Sequence, residues 1–181
     1  MQVRNVPPVN KRLCRVAAAV AGVAALAFVA GNAAEWLVPQ WAEEAARNAT
    51  RLRTEPVFMR PLVQWVGLGV TTLHLCVLAW GLLSMRTLFK LLAAGEVFVA
   101  ETGVLLRRFG KALLIYATLT PIVRSALAPL VTYDPVKHQG FVSFGIQDYE
   151  IVIALVGALI LAFGSVMADA TRIADENREI V

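Results

Sequence analysis

Four long apolar runs constrain this chain more than anything else in it. Residues 16–34 and 61–85 carry no charge, residues 112–133 are interrupted only by Arg124, and residues 151–168 are bounded by Glu150 and Asp169. A helix of about 20 mostly apolar residues is long enough to cross a bilayer. Lipid offers the backbone no hydrogen-bond partners, so a run of this kind must satisfy its own amides and carbonyls as a helix. Composition agrees: 58% of the 181 residues are apolar and 17% are charged, against about 25% charged in soluble domains. A soluble globule and a disordered chain are both excluded.

The expected fold is all-α: one integral membrane four-helix bundle over residues 1–181, with helices at about 13–35, 61–93, 102–133 and 149–174. Short loops join them on the outer side and helix extensions reach into the cytoplasm. Orientation follows from the flanks. Arg4, Lys11, Arg12, Arg15, Arg86, Lys90, Arg107, Arg108, Lys111, Arg172 and Arg178 fall on one side, and Arg47, Arg51, Arg53, Arg60 and Lys137 on the other. Lys and Arg concentrate on the cytoplasmic side of membrane proteins, so both termini are expected there. Another reading of the first run stays open. Its basic start and Gly31-Asn32-Ala33 could mark a cleaved signal peptide, although Trp36 and Trp41 suit interfacial anchors.

The loops have their own character. Residues 41–53 are Ala-rich and charged, which suits a short helix lying on the outer surface. Residues 141–146 alternate weakly and suggest a short outer strand. Gly95 is placed to end the second long helix, and Glu101 or Thr102 to cap the next. Small residues let membrane helices approach closely. Ala17, Ala21 and Ala25, and Ala154, Ala158 and Ala162 with Gly157 and Gly164, are the expected contact faces.

Two polar groups inside the apolar runs are the candidate intramembrane site: Arg124 and His74. An ionisable residue at such depth faces protein or water rather than lipid. Arg124 shares a helical face with Ala117, Thr120, Pro121 and Ala128, and it lies 13 residues beyond Lys111, about 20 Å along the helix. Glu35, Asp148 and Glu150 are its candidate partners. Pro121 and Pro129 each remove a hydrogen bond from that helix, so a break there is one reading. His74 shares its face with Gly67, Thr71 and Gly81. The plain expectation for it is a hydrogen bond to a neighbouring helix; a titrating role lacks an acidic residue at the same depth. The sequence offers no metal-ligand cluster, no phosphate-binding glycine loop and no nucleophile–base pair. No catalytic residue, cofactor or metal is therefore expected.

Residues 88–110, Leu-Phe-Lys-Leu-Leu-Ala-Ala-Gly-Glu-Val-Phe-Val-Ala-Glu-Thr-Gly-Val-Leu-Leu-Arg-Arg-Phe-Gly, together with residues 156–162, Ala174-Asp-Glu-Asn and the final Ile180-Val181, are similar to the domain of unknown function 2975 family. These are small bacterial membrane proteins with four predicted helices. Gly95 and Phe98 match the family's Gly-x-x-Phe element, Arg107 and Gly110 its following Arg and Gly, and Glu176 and Val181 its tail. The chain departs from the pattern at Ala170, where the family has Gly. The resemblance implies a bacterial inner-membrane protein with no catalytic residues to carry over, and relatives beside small helix-turn-helix regulators. Gly95, Phe98, Arg107 and Gly110 are on this basis the candidate partner-docking motif.

Two functions are then in view. The first is a non-enzymatic interaction or regulatory protein. The second is a small-solute or ion pathway, oligomeric or not, that uses Arg124 in a proline-broken third helix. The expected company is the lipid bilayer, a cytoplasmic or membrane protein partner, or further copies of the chain, without direct contact to nucleic acid.

Overall fold

The computed structural model describes residues 10–52, 54–95, 100–142 and 144–179. The chain forms five helices: α1 (Lys11–Leu37), α2 (Pro39–Thr50), α3 (Pro61–Ala94), α4 (Ala100–Thr132) and α5 (Asp148–Glu179). All but α2 are long and apolar enough to cross a membrane, and they coincide with the four runs of the sequence. α3 has 34 residues, about 51 Å at 1.5 Å per residue, so it outruns a hydrocarbon core of about 30 Å. The α-helical membrane bundle is therefore as expected, with helix ends that project beyond it.

The bundle is open rather than closed. α1 packs on α3, α3 on α4 and α4 on α5, while among the described residues α5 touches no other helix and α1 does not reach α4. The small α2 covers one end of α1, α3 and α4. It is amphipathic: Ala42, Ala45, Ala46 and Thr50 are buried, and Glu43 and Arg47 pair at 2.9 Å on the exposed side. Trp36, Ala45, Ala46, Val63 and Val131 form the core beneath it. Helix ends leave carbonyls without intrahelical donors. Gln64 Nε2 donates to Trp36 O at 2.5 Å, and the backbone amide of Phe58 donates to Val131 O at 2.9 Å.

Glycine sets the closest approach. A Cβ on Gly110 would stand 2.6 Å from Leu161 N and 2.8 Å from Gly157 O, and one on Gly164 would stand 2.8 Å from Arg107 N. α4 and α5 thus meet backbone to backbone through Gly103 and Gly110 on one side and Gly157 and Gly164 on the other. This corrects the alanine row expected on α5. Ala158 and Ala162 are exposed, whereas Gly157 and Gly164 are buried, because only glycine removes the side chain that would hold the backbones apart. On α1 the buried row is Cys14, Ala18, Ala21 and Ala25, so Ala18 belongs to the face more than Ala17 does.

Three local expectations are also corrected. The described residues of the segment, 141–142 and 144–146, form no strand; an isolated bridge between Asp134 and Gln139 is the β pairing among the described residues. The alternating segment has no neighbouring edge to pair with. α4 runs unbroken through Pro121 and Pro129, so the proline break does not occur; a kept helix costs those positions a hydrogen bond each without interrupting the rod. Glu101 and Thr102 lie inside the first turn of α4 rather than at its cap. Gly95 does end α3, with φ 98° and its amide bonded back to Leu91 O and Leu92 O.

Candidate functional site

The polar groups gather at the end of the fold away from the basic flanks. Arg124, on α4, faces inward and its side chain is 5% exposed. It forms an ion pair with Glu150, whose side chain is 3% exposed. Arg124 Nη1 donates to Gly145 O at 3.1 Å and Nη2 to the hydroxyl of Tyr149 at 3.1 Å. The Tyr149 hydroxyl donates in turn to Glu150 Oε1 at 3.2 Å. The second carboxylate oxygen of Glu150 accepts the backbone amide of Gln147 at 2.9 Å. A Glu in the first turn that reaches back to the amide before its helix is half of a capping box. Glu150 therefore starts α5 and neutralises Arg124 at once. A charge this deep is tolerable only when paired and hydrogen-bonded, and each member here has both.

Of the three candidate partners, Glu150 is the one that binds Arg124. Glu35 lines the adjoining recess and Asp148 is exposed at the start of α5. The face expected for Arg124 is as built: Ala117, Pro121 and Ala128 are buried and Thr120 is half-buried.

Below the pair, α1 to α4 and the end of α2 enclose a recess of about 180 Å³. Asn32, Glu35, Asn48, Arg51, His74 and Tyr149 are among the polar residues that line it. His74 Nε2 lies 3.1 Å from Thr120 Oγ1, the expected bond to a neighbouring helix. Thr120 Oγ1 donates its single proton to Tyr116 O at 2.8 Å, so it can only accept from the imidazole. His74 must then carry its proton on Nε2 and leave Nδ1 as a bare acceptor. That Nδ1 is buried and has no partner. The ring stacks on Tyr116 with centroids 4.3 Å apart, and Gly67, Thr71 and Gly81 beside it are buried as expected.

Two contributors carried no signal of their own in the sequence. Arg51 reads as one loop charge among several. In the structure it ends α2 in a left-handed conformation, φ 58°, with its guanidinium 5.7 Å above the Tyr149 ring. Tyr149 reads as an ordinary residue at a helix start, yet it joins Arg51, Arg124 and Glu150.

The proposed docking motif is divided. Gly95 is the exposed helix end of α3, and Phe98 lies outside the described residues. Arg107 is half-buried and Gly110 is buried, both in the contact with α5. Gly110 therefore has a packing role that leaves it no surface for a partner. Among the described residues no three His, Cys, Asp or Glu side chains could hold a metal ion. Compared with family models, curated proteins and solved structures, the chain finds no match in any of the three.

Proposed function

We propose that this is a non-enzymatic regulatory protein of the bacterial inner membrane, both termini cytoplasmic, that binds a small polar solute in the recess beneath Arg124 and Glu150. The observation that carries this reading is the recess itself, lined by Asn32, Asn48 and His74 at the end of the bundle. The recess also offers charges of both signs, Glu35 and Arg51. Its volume equals about six waters at about 30 Å³ each. The chemistry that fits is a compact zwitterion carrying a hydrogen-bond donor. Arg51 holds a backbone conformation uncommon outside glycine, which supports a role for its side chain at this place.

Regulation requires a partner, and the exposed groups at the opposite end, Gly95, Glu101, Arg108 and Lys111, are the surface offered to one. The orientation rests on the distribution of Lys and Arg, and the bacterial inner membrane on the family resemblance. A solute pathway loses its main support with the unbroken course of α4.

Trp36 lines the recess and provides the assay. Protein in nanodiscs is titrated with glycine, and with acetate and methylammonium as singly charged controls, while tryptophan emission is followed. A saturable change with glycine that is absent in Trp36→Phe and weakened in His74→Leu and Arg51→Gln is expected. Emission indifferent to glycine, or an equal response to acetate alone, would overturn the reading.

A further inference from the structure

Another cleft lies at the other end of the molecule and has no part in that reading. α1 and α3 run antiparallel, so the start of α1 meets the end of α3. Between them is a cleft of about 410 Å³ lined by Arg15, Ala18, Ala19, Arg86, Lys90, Ala93 and Ala94. Among the described residues three cations face it and no carboxylate does. None of the three has an ion-pair partner among the described residues.

Its position relative to the membrane can be read from the sequence. Arg15 directly precedes the uncharged run of α1, and Arg86 directly follows that of α3. Arg15 and Lys90 therefore stand near the boundary of the hydrocarbon core, at headgroup level, and the Arg86 guanidinium reaches past it to Gly22, about 10 Å further along α1. The remaining walls are alanines from both helices, so the opening between the charges is apolar and wide. Arg86 and Lys90 are one turn apart on the same face of α3. Arg86 also crosses to α1: a Cβ on Gly22 would lie 2.9 Å from its Nη1 and 3.0 Å from its Cδ. The absence of a side chain at Gly22 thus lets the guanidinium lie across the helix pair beside the cleft.

We propose that Arg15, Arg86 and Lys90 bind the phosphate of an anionic phospholipid, with its glycerol and upper acyl carbons against the alanine walls. Arginine and lysine are both strong phosphate ligands, Arg through its planar fork and Lys as a point charge. Basic clefts between membrane helices are suited to lipid headgroups. A free phosphate ion shares the headgroup's chemistry but gains nothing from the alanines or from the membrane boundary.

The test is native mass spectrometry of the full chain released from nanodiscs containing phosphatidylglycerol and phosphatidylcholine in equal amounts. A parallel arm adds inorganic phosphate to protein in phosphatidylcholine alone. Retention of phosphatidylglycerol over phosphatidylcholine is expected. Each of Arg86→Gln and Lys90→Gln is expected to weaken it about fivefold, the usual effect of one basic group near an anionic surface. Arg86→Lys keeps most of it. Gly22→Leu, which leaves every charge in place but displaces the Arg86 side chain, also weakens it. Lys111→Gln, an exposed basic residue on α4 outside the cleft, is the control and leaves retention unchanged. Lys90 is exposed, so its variant keeps the test valid if an Arg86 variant misfolds. Equal retention of the two lipids, an equal loss in Lys111→Gln, or inorganic phosphate binding as tightly as the lipid would each overturn the proposal.

Discussion

Removing one member of the Arg124–Glu150 pair is the most severe single change this fold offers. Both side chains are at most 5% exposed, so solvent screening gives little discount. Two unit charges about 4 Å apart interact by about 4 kcal/mol at an effective dielectric constant near 20. Breaking a buried pair by deleting one partner costs about 3–5 kcal/mol, because the other charge is stranded. Arg124→Met should fall in that range, leaving Glu150 with its bonds to Tyr149 and the Gln147 amide. Glu150→Ala should cost roughly 0.5–1 kcal/mol more, since α5 also loses the acceptor at its first turn. The double variant Arg124→Met/Glu150→Ala strands no charge. It should recover roughly 2–3 kcal/mol relative to the sum of the singles. Unfolding in mixed micelles of increasing dodecyl sulfate, followed by far-ultraviolet circular dichroism, measures all four proteins. Single variants each losing under about 1 kcal/mol, with strictly additive effects in the double, would show a solvated pair and refute the argument.

Other outcomes follow from the packing. Gly110→Val places a branched side chain against the backbone at Leu161 and Gly157; overpacking of this kind costs about 1–3 kcal/mol, and cysteine cross-linking between α4 and α5 should fall with it. Gly67→Ala drives a methyl into the ring of buried Trp36, so Trp emission should shift and the melting temperature drop, whereas Gly69→Ala, with open space at its Cβ, should be silent in both. Gly95→Ala forces a side chain into φ 98° and should cost about 1 kcal/mol, read as a lower melting temperature with unchanged helix content.

What could be read from the sequence was set by hydrophobicity and charge. The four spans emerge because lipid imposes one length and one polarity on each. Arg124 stands out because nothing else in its run is charged, and its inward face was readable from the small residues one turn away. The choice of Glu150 over Glu35 and Asp148 was not readable. It depends on how the 133–147 loop returns the chain to α4, which no periodicity encodes. The glycine contact of α4 with α5 was equally hidden, since the seven-residue spacings on two helices become a contact only once their register is known. Arg51 and Tyr149 became site residues through the path of α2 over the bundle end, a tertiary fact. The strand expected at 141–146 failed because alternation describes a strand's faces but not whether a partner edge exists.

The serial packing of the helices has a consequence for the order of assembly. α1, α2, α3 and α4 all precede α5 in the chain, and among the described residues α4 is the helix on which α5 packs. Arg124 and Glu150 lie 26 residues apart in the chain, and their pair closes only when the start of α5 docks on α4. Before then Arg124 needs another polar partner, since an unpaired charge at that depth is costly. Closing the pair and seating the glycines of α4 against those of α5 belong to the same docking of α5. A chain without α5 would keep Arg124 on α4 with no Glu150 to neutralise it.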